Sequence, residues 1–285
     1  MSKKKMYSAW FVVPSMAIFS VFFLIPLVTS LFYSLTVWDF RNVTFVGLEN
    51  FRMFFAERSL SSSIVHTLLY AFATSGLKVV LAFLIAVFLT SGLRTQNLLR
   101  SVIFFPNLVS TIAVGITFAA MMHPTKGLFN KVLGAFGAPP IDFLGNADLA
   151  LGSVIFTDVW KGLSIATIIY ISGVLSIDRT FYEAARVDGA GKWQQLRHIT
   201  MPLVRPAMNS VIILSLIGGL RSFDLIWAMT GGGPGFATDV LASVIYKEYA
   251  AGFYGLSTAG NIIMFALIAL IAYPLQRFLL KREYN

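Results

Sequence analysis

Six apolar stretches, at about 10–37, 65–90, 101–122, 150–177, 207–229 and 258–280, constrain this sequence more than any other feature. A helix needs about 20 consecutive, mostly apolar residues to cross a hydrocarbon core. Lipid offers no partner to a free amide or carbonyl, so such segments are satisfied only as helices that bond to themselves. The fold class that follows is all-α: a polytopic membrane protein with six transmembrane helices in a single domain covering residues 1–285. Composition agrees, since charged residues make up 12% of the chain and mean hydropathy is +0.76, whereas soluble domains carry about 25% charged residues. The first stretch is too long for the apolar core of a signal peptide and no small-residue cleavage site closes it, so it is expected to remain as a span, kinked at Pro14 and Pro26.

Lys and Arg near membrane spans are held on the cytoplasmic side. Six spans put both termini on one face. That face, with the last turn of span six, holds 13 of the 22 basic residues, including Lys3, Lys4, Lys5, Arg186, Lys192 and Arg197. The longer outer segments hold 6, namely Arg41, Arg52, Arg58, Lys126, Lys131 and Lys247. Both termini are therefore expected in the cytoplasm. The net charge of +9 is then a product of topology, and with no basic stripe on one face a nucleic-acid partner is not expected. Cysteine is absent, and His66, His123 and His198 are far apart without ligand spacing, so no metal site is expected.

The longest cytoplasmic segment on this topology is 178–206, basic and glycine-broken between two greasy spans. Thr180 and Glu183 have the spacing of a capping box. A short helix is expected to run to about Val187, stop at Gly189 or Gly191, restart over Lys192 to Ile199 and end at Pro202. Two short helices with a bend make a knob whose small residues Ala184 and Ala185 would let a partner close over it, with Arg186, Lys192 and Arg197 around the rim. A plain solvated loop satisfies the same chemistry.

Glu183-Ala184-Ala185, three residues, Gly189, nine residues, then Ile199, Met201 and Pro202 resembles the EAA loop of permease subunits in binding-protein-dependent ABC importers. That pattern ends in Ile-x-Leu-Pro, and Met201 stands where the leucine belongs. Phe105-Pro106, Trp160, the run Phe223 to Trp227 and Met229 to Pro234 are similar to the carbohydrate-uptake permeases of the maltose and glycerol-phosphate type. The resemblance implies a type I importer-like fold in the cytoplasmic membrane of a bacterium or archaeon. It implies a second permease subunit, two ATPase subunits docked at Glu183, Ala184, Ala185, Asp188, Gly189, Ala190 and Pro202, and an extracellular solute-binding lipoprotein or periplasmic protein that delivers a sugar. ATP and Mg would be bound by the ATPase subunits. This chain has one Gly-Lys pair, Gly191-Lys192, with Arg186 where a P-loop needs glycine and Trp193 where it needs Ser or Thr.

Ionisable residues inside spans are costly and face a bundle interior or a wet cavity. Lys78 stands alone in span two, while Asp158 and Lys161, and Arg221 and Asp224, sit three apart, a spacing that permits mutual neutralisation on one helix face. Asn107, Ser110 and Asn261 add hydrogen-bonding groups, and Trp160 and Trp227 could supply an aromatic platform for a sugar. These nine residues beside Lys78 are candidates for the substrate pathway, and locking helices to one another is the alternative use of the charges. Gly218-Gly219 would give span five either a hinge or a close helix contact. The outer segments 39–64, 123–149 and 231–257 are long enough for short surface helices. Competing readings are a permease for glycerol-phosphate-like or acidic saccharide cargo, and an ion-coupled secondary carrier, which leaves the EAA-like loop unexplained.

Overall fold

The computed structural model describes residues 9–39, 41–92 and 94–283. Helix α1 (residues 9–34) changes type along its length, with a 3-10 turn at Ala9–Val12, α geometry at Val13–Phe19, a π turn at Ser20–Leu24 and α geometry again at Ile25–Ser34. Pro14 and Pro26 stand in the first turns of the two α stretches, so each proline marks a change of helix type. The reason is local: a residue without an amide hydrogen cannot continue the preceding ladder of bonds. The span stops short of residue 37 because β1 (Thr36–Trp38) pairs antiparallel with β2 (Val43–Phe45). Asp39 closes this hairpin, its Oδ1 accepting the amides of Asn42 at 2.7 Å and Arg41 at 3.0 Å, bonds that hold its carboxyl below the usual range.

Helix α2 (Glu49–Ala56) occupies the first outer segment, and α3 (Arg58–Leu89) is the second span. The third span is not continuous. Helices α4 (Gln96–Leu108) and α5 (Thr111–Met121) turn through 97° about an extended pair, Val109 and Ser110. Buried Pro106 within α4 removes one helical hydrogen bond just before the turn. Helix α6 (Leu128–Ala135) lies in the second outer segment and α7 (Ala147–Leu175) is the fourth span. The 178–206 segment contains α8 (Arg179–Val187) and α9 (Lys192–Leu203). The fifth expected span is divided into α10 (Arg205–Leu220) and α11 (Asp224–Thr230), with Arg221 to Phe223 outside helical geometry. Helix α12 (Leu241–Ala250) and the long α13 (Tyr254–Glu283) complete the chain. Among the described residues, four helices are long and apolar enough to cross a membrane alone, and the bent pairs α4 with α5 and α9 with α10 bring the number to six if each pair crosses as one.

The residues gather into two compact units, Met1–Ser61 with Val244–Phe265, and Ser62–Ser243 with Ala266–Asn285. In the first, buried Asn50 donates to the carbonyls of Ser34 and Thr36, both at 2.9 Å, tying α2 to the end of α1 and to β1. Gly255 lies against the Thr36 carbonyl with no room for a side chain. In the second, one apolar cluster joins Tyr70, Val114, Phe118, Val154, Leu225 and Ile226 from α3, α5, α7 and α11. Another joins Phe83, Tyr170, Ile171, Val204 and Val211 from α3, α7, the α9–α10 junction and α10, with Leu99 and Ile103 of α4 packed on it. Helices in lipid gain little from hydrophobic burial and associate through close packing of small residues. A Cβ on Gly219 would lie 2.7 Å from the Ala71 Cα, one on Gly115 2.7 Å from the Ala228 Cβ, and one on Gly173 2.6 Å from the Ala207 Cβ. Large apolar side chains on α1, such as Trp10 and Phe22, are exposed, as a lipid-facing helix requires.

Gly219 is therefore a packing glycine, while its neighbour Gly218 has open space around it. Gly219→Leu is expected to cost about 1–3 kcal/mol by overpacking α10 against α3, whereas Gly218→Ala should be neutral or raise stability by up to about 1 kcal/mol through helix propensity. Thermal unfolding of the detergent-solubilised chain, followed by size-exclusion profile, checks the contrast.

Candidate functional site

The 178–206 segment is a helix–turn–helix projection. Its cap is Asp178 and not Thr180: the Asp178 Oδ1 accepts the Thr180 amide at 2.9 Å, and that bond holds its carboxyl below the usual carboxylate range. Thr180 is already inside α8, so the capping box expected with Glu183 does not form. Helix α8 ends at Val187, and Gly189 reverses the chain at φ +78°, where the Ala190 amide donates to the Ala185 carbonyl at 2.8 Å. Gly191 starts α9, its amide held by Gln194 Oε1 at 2.7 Å. Two further bonds close the motif: Gln195 Nε2 of α9 donates to the Ala190 carbonyl in the turn at 2.8 Å, and the hydroxyls of Tyr182 on α8 and Thr200 on α9 share a bond of 2.9 Å.

Pro202 does not end this helix. It sits in the first turn of Met201–Leu203, just after a π turn at Leu196–Thr200, and the change of direction comes at fully buried Val204, where α9 and α10 meet at 66°. A wide turn ahead of a proline absorbs the bond the ring cannot make. Ala185, Asp188, Gly189 and Ala190 line a shallow cleft with Gln194, His198 and Ile199. Glu183, Ala184, Arg186, Lys192 and Arg197 are exposed around it. Three large apolar side chains, Phe181, Val187 and Trp193, also stand out, Val187 at 88% exposure. Sequence reasoning passed over these three, because nothing in the sequence separates an exposed apolar residue of a short helix from one packed against its partner helix.

Within the spans, the charges pair otherwise than their spacing suggests. Lys78 of α3 reaches Asp158 Oδ2 of α7 at 2.5 Å, so Lys78 is not alone and Asp158 does not pair with Lys161. Arg221 and Asp224 lie on opposite sides of the break, both exposed, and the same-face geometry expected of a three-residue spacing is lost there. Among the described residues Lys161, Arg221 and Asp224 form no ion pair. Asn107 is half-buried near the end of α4, and Ser110 is exposed at the bend. Trp160 packs against Phe118 with ring centres 5.0 Å apart, and Trp227 stacks on Phe223 at 5.6 Å, each indole remaining 38% exposed. Half-buried Asn261 belongs to the first unit and the other candidates to the second. Tyr70 and Ser222 went unnoticed in the sequence; the Ser222 hydroxyl donates to the Tyr70 oxygen at 3.3 Å, joining the break in span five to α3.

The comparisons with known proteins agree with this architecture. Residues 78–283 match the family described as binding-protein-dependent transport system inner membrane component. The chain is 32% identical over 263 residues to the trehalose/maltose transport system permease protein MalF of Thermococcus litoralis, covering 90% of this chain and 88% of that one. It is 30% identical over 276 residues to the multiple sugar-binding transport system permease protein MsmF of Streptococcus mutans, covering 93% of each. In fold it is similar to a chain of a bacterial ABC transporter involved in the import of the acidic polysaccharide alginate, with a TM-score of 0.83, 21% identity and coverage of 95% and 94%. The matched segment contains the bent third span, the helix–turn–helix projection and the break in span five. This chain belongs to the family of inner membrane components of binding-protein-dependent transport systems.

Proposed function

We propose that this permease passes a sugar or oligosaccharide from an external solute-binding protein to the cytoplasm, together with a second permease subunit, and that the 178–206 projection couples the passage to separate ATPase subunits. The observation that carries the reading is the projection itself. Its two helices are clamped by side-chain bonds, so a push on α8 is transmitted to α9 without being absorbed in the turn. Its small residues Ala184, Ala185, Gly189 and Ala190 leave room for a partner surface, and Phe181, Val187 and Trp193 offer it apolar anchors. Glu183 and Asp188 are exposed beside them. Pro202 fixes where α9 turns towards α10. ATP and Mg belong to the ATPase subunits in this reading, and an ion-coupled carrier is set aside by the family.

A sugar cargo is supported by the named activities of the two relatives, by the two half-exposed indoles, Trp160 and Trp227, and by hydrogen-bonding groups at Asn107, Ser110, Lys161, Arg221 and Asp224 that are not buried. Asn261 is kept as a further candidate. Asp158 is engaged by Lys78, so its part in the pathway is indirect. That pairing also favours a second cargo reading. With Lys78 and Asp158 neutralising each other, Lys161 and Arg221 stand against Asp224 alone, and a one-charge positive excess suits an acidic saccharide.

Three measurements test the proposal. Single cysteines replacing Gln194 and Asn146 in this cysteine-free chain should give opposite results with an impermeant thiol reagent on intact cells, Gln194→Cys protected and Asn146→Cys labelled; the reverse would overturn the orientation. Ala185→Trp and Gly189→Val should each lower uptake about tenfold, the loss that ~1.4 kcal/mol of contact energy produces, with the chain still inserted at parental levels. For cargo, the complex purified through a tag on this chain and placed in vesicles is offered maltose, trehalose, glycerol 3-phosphate and alginate oligosaccharide. Arg221→Gln should raise KM most for the charged solutes if the acidic reading holds, and equally for all if the neutral one does.

A further inference from the structure

The Lys78–Asp158 pair is enclosed, the two side chains being 9% and 21% exposed. Gly162, one turn beyond Asp158 on α7, makes space for it: a Cβ there would overlap the Lys78 stem. Fully buried Tyr70 stands about two turns before Lys78 on α3, its hydroxyl oxygen accepting the hydrogen bond from Ser222. Between them, Ala71 and Thr74 receive Gly219, one residue before the end of α10. One stretch of α3, residues 70–78, thus holds α7 by an ion pair and the break in span five by a hydrogen bond and a glycine contact.

We propose that Lys78 is a positioning residue for transport, acting through Asp158 and the Tyr70–Ser222 bond to fix the break at Arg221–Phe223 against α7. Lys78 itself does not touch cargo. The chemistry favours this use over cargo binding, because the Asp158 carboxylate is already occupied by the Lys78 ammonium. An enclosed ion pair suits a latch for a specific physical reason. Removing one partner leaves an uncompensated charge and is severe, whereas replacing both with apolar groups of similar volume is close to neutral. The pair therefore sets a geometry that single changes destroy and a matched double change restores.

The test uses the complex purified through a tag on this chain, with Lys78→Met, Asp158→Leu, the double variant, Tyr70→Phe and Ser222→Ala. Uptake of each member of the four-solute panel and ATP hydrolysis are measured per assembled complex. A positioning role predicts that Lys78→Met and Asp158→Leu each lower turnover per complex at least tenfold with KM unchanged, and that the double variant returns to within about threefold of the parent. Tyr70→Phe and Ser222→Ala should each lower turnover about two- to tenfold, the range of a single hydrogen bond. A raised KM in Asp158→Leu that the double variant does not restore would overturn the proposal in favour of direct cargo contact. Loss of assembly with parental turnover in what assembles would overturn it in favour of a purely structural pair. Should the parent transport no panel solute, the transport reading is what suffers, and ATP hydrolysis per complex still compares the single and double variants.

Discussion

Hydrocarbon offers no substitute partner for a broken backbone hydrogen bond, and this constraint decides where a fold like this one can be irregular. Lipid-facing backbone has to stay helical. Breaks are tolerated only where protein or water covers them, which makes the turn at Val109–Ser110 and the interruption at Arg221–Phe223 informative about what surrounds them. Both are flanked by groups able to bond or hold water: Asn107 and Ser110 at one, Arg221, Ser222 and Asp224 at the other. The helices that follow the two breaks, α5 and α11, pack together where Gly115 admits Ala228. The irregular backbone of the second unit is thereby concentrated near a single helix contact, and the candidate cargo groups follow the backbone rather than the average hydropathy.

How much of this was legible in the sequence depends on the length over which each signal is averaged. Helix α7 and the end of α3 were found within a few residues because no break interrupts either helix, while α3 begins at Arg58, ahead of the apolar run expected from 65. A hydropathy window of about 20 residues cannot register a break of two or three, so spans three and five read as continuous although Pro106 and the charged pair at 221 and 224 were in plain view. The hairpin of β1 and β2 escaped for the same reason, its strands being three residues each and joined by a turn whose signal is one carboxylate, Asp39. The EAA-like loop was the opposite case. Its glycines and proline act locally, and the reversal at Gly189 came where left-handed geometry was expected, while the cap moved from Thr180 to Asp178 by competition between neighbouring side chains able to do the same work.

Charge pairing was the part least accessible to one-dimensional reasoning. Spacing of three along a helix identifies residues that are able to meet, and it led to Asp158 with Lys161 and to Arg221 with Asp224. The observed partner of Asp158 is 80 positions away, and what brings it there is Gly162, whose missing side chain lets a lysine from another helix lie across α7. A glycine in a span is hard to read by itself. It serves as close contact at Gly219 and Gly173, as clearance for a side chain at Gly162, and as neither at Gly218. Only the neighbour's identity separates these uses, and the neighbour comes from another part of the chain.

The connection between the projection and the break in span five is mechanical. Helix α9 turns into α10 through 66° at Val204, which is fully buried in the cluster formed with Phe83, Tyr170, Ile171 and Val211. A buried pivot of this kind resists translation, since moving it would open a void among close-packed side chains, but it permits the two arms to swing. One arm is the clamped pair α8–α9, rigid because its turn is closed by bonds on both sides. The other is α10, which rises about 24 Å over its 16 residues and delivers any swing to Leu220 and the non-helical residues after it. At that far end the chain is tied to α3 by Gly219 and the Ser222–Tyr70 bond, and α3 is tied to α7 through Lys78. In the proposed coupling, a displacement of the projection is resisted along α10 by Gly173 against Ala207 and by Asn209 on the Leu279 carbonyl, and at the break by one neutral hydrogen bond worth about 1 kcal/mol. The arrangement places that last bond beside Arg221 and Asp224, far along the helix from where the force would be applied.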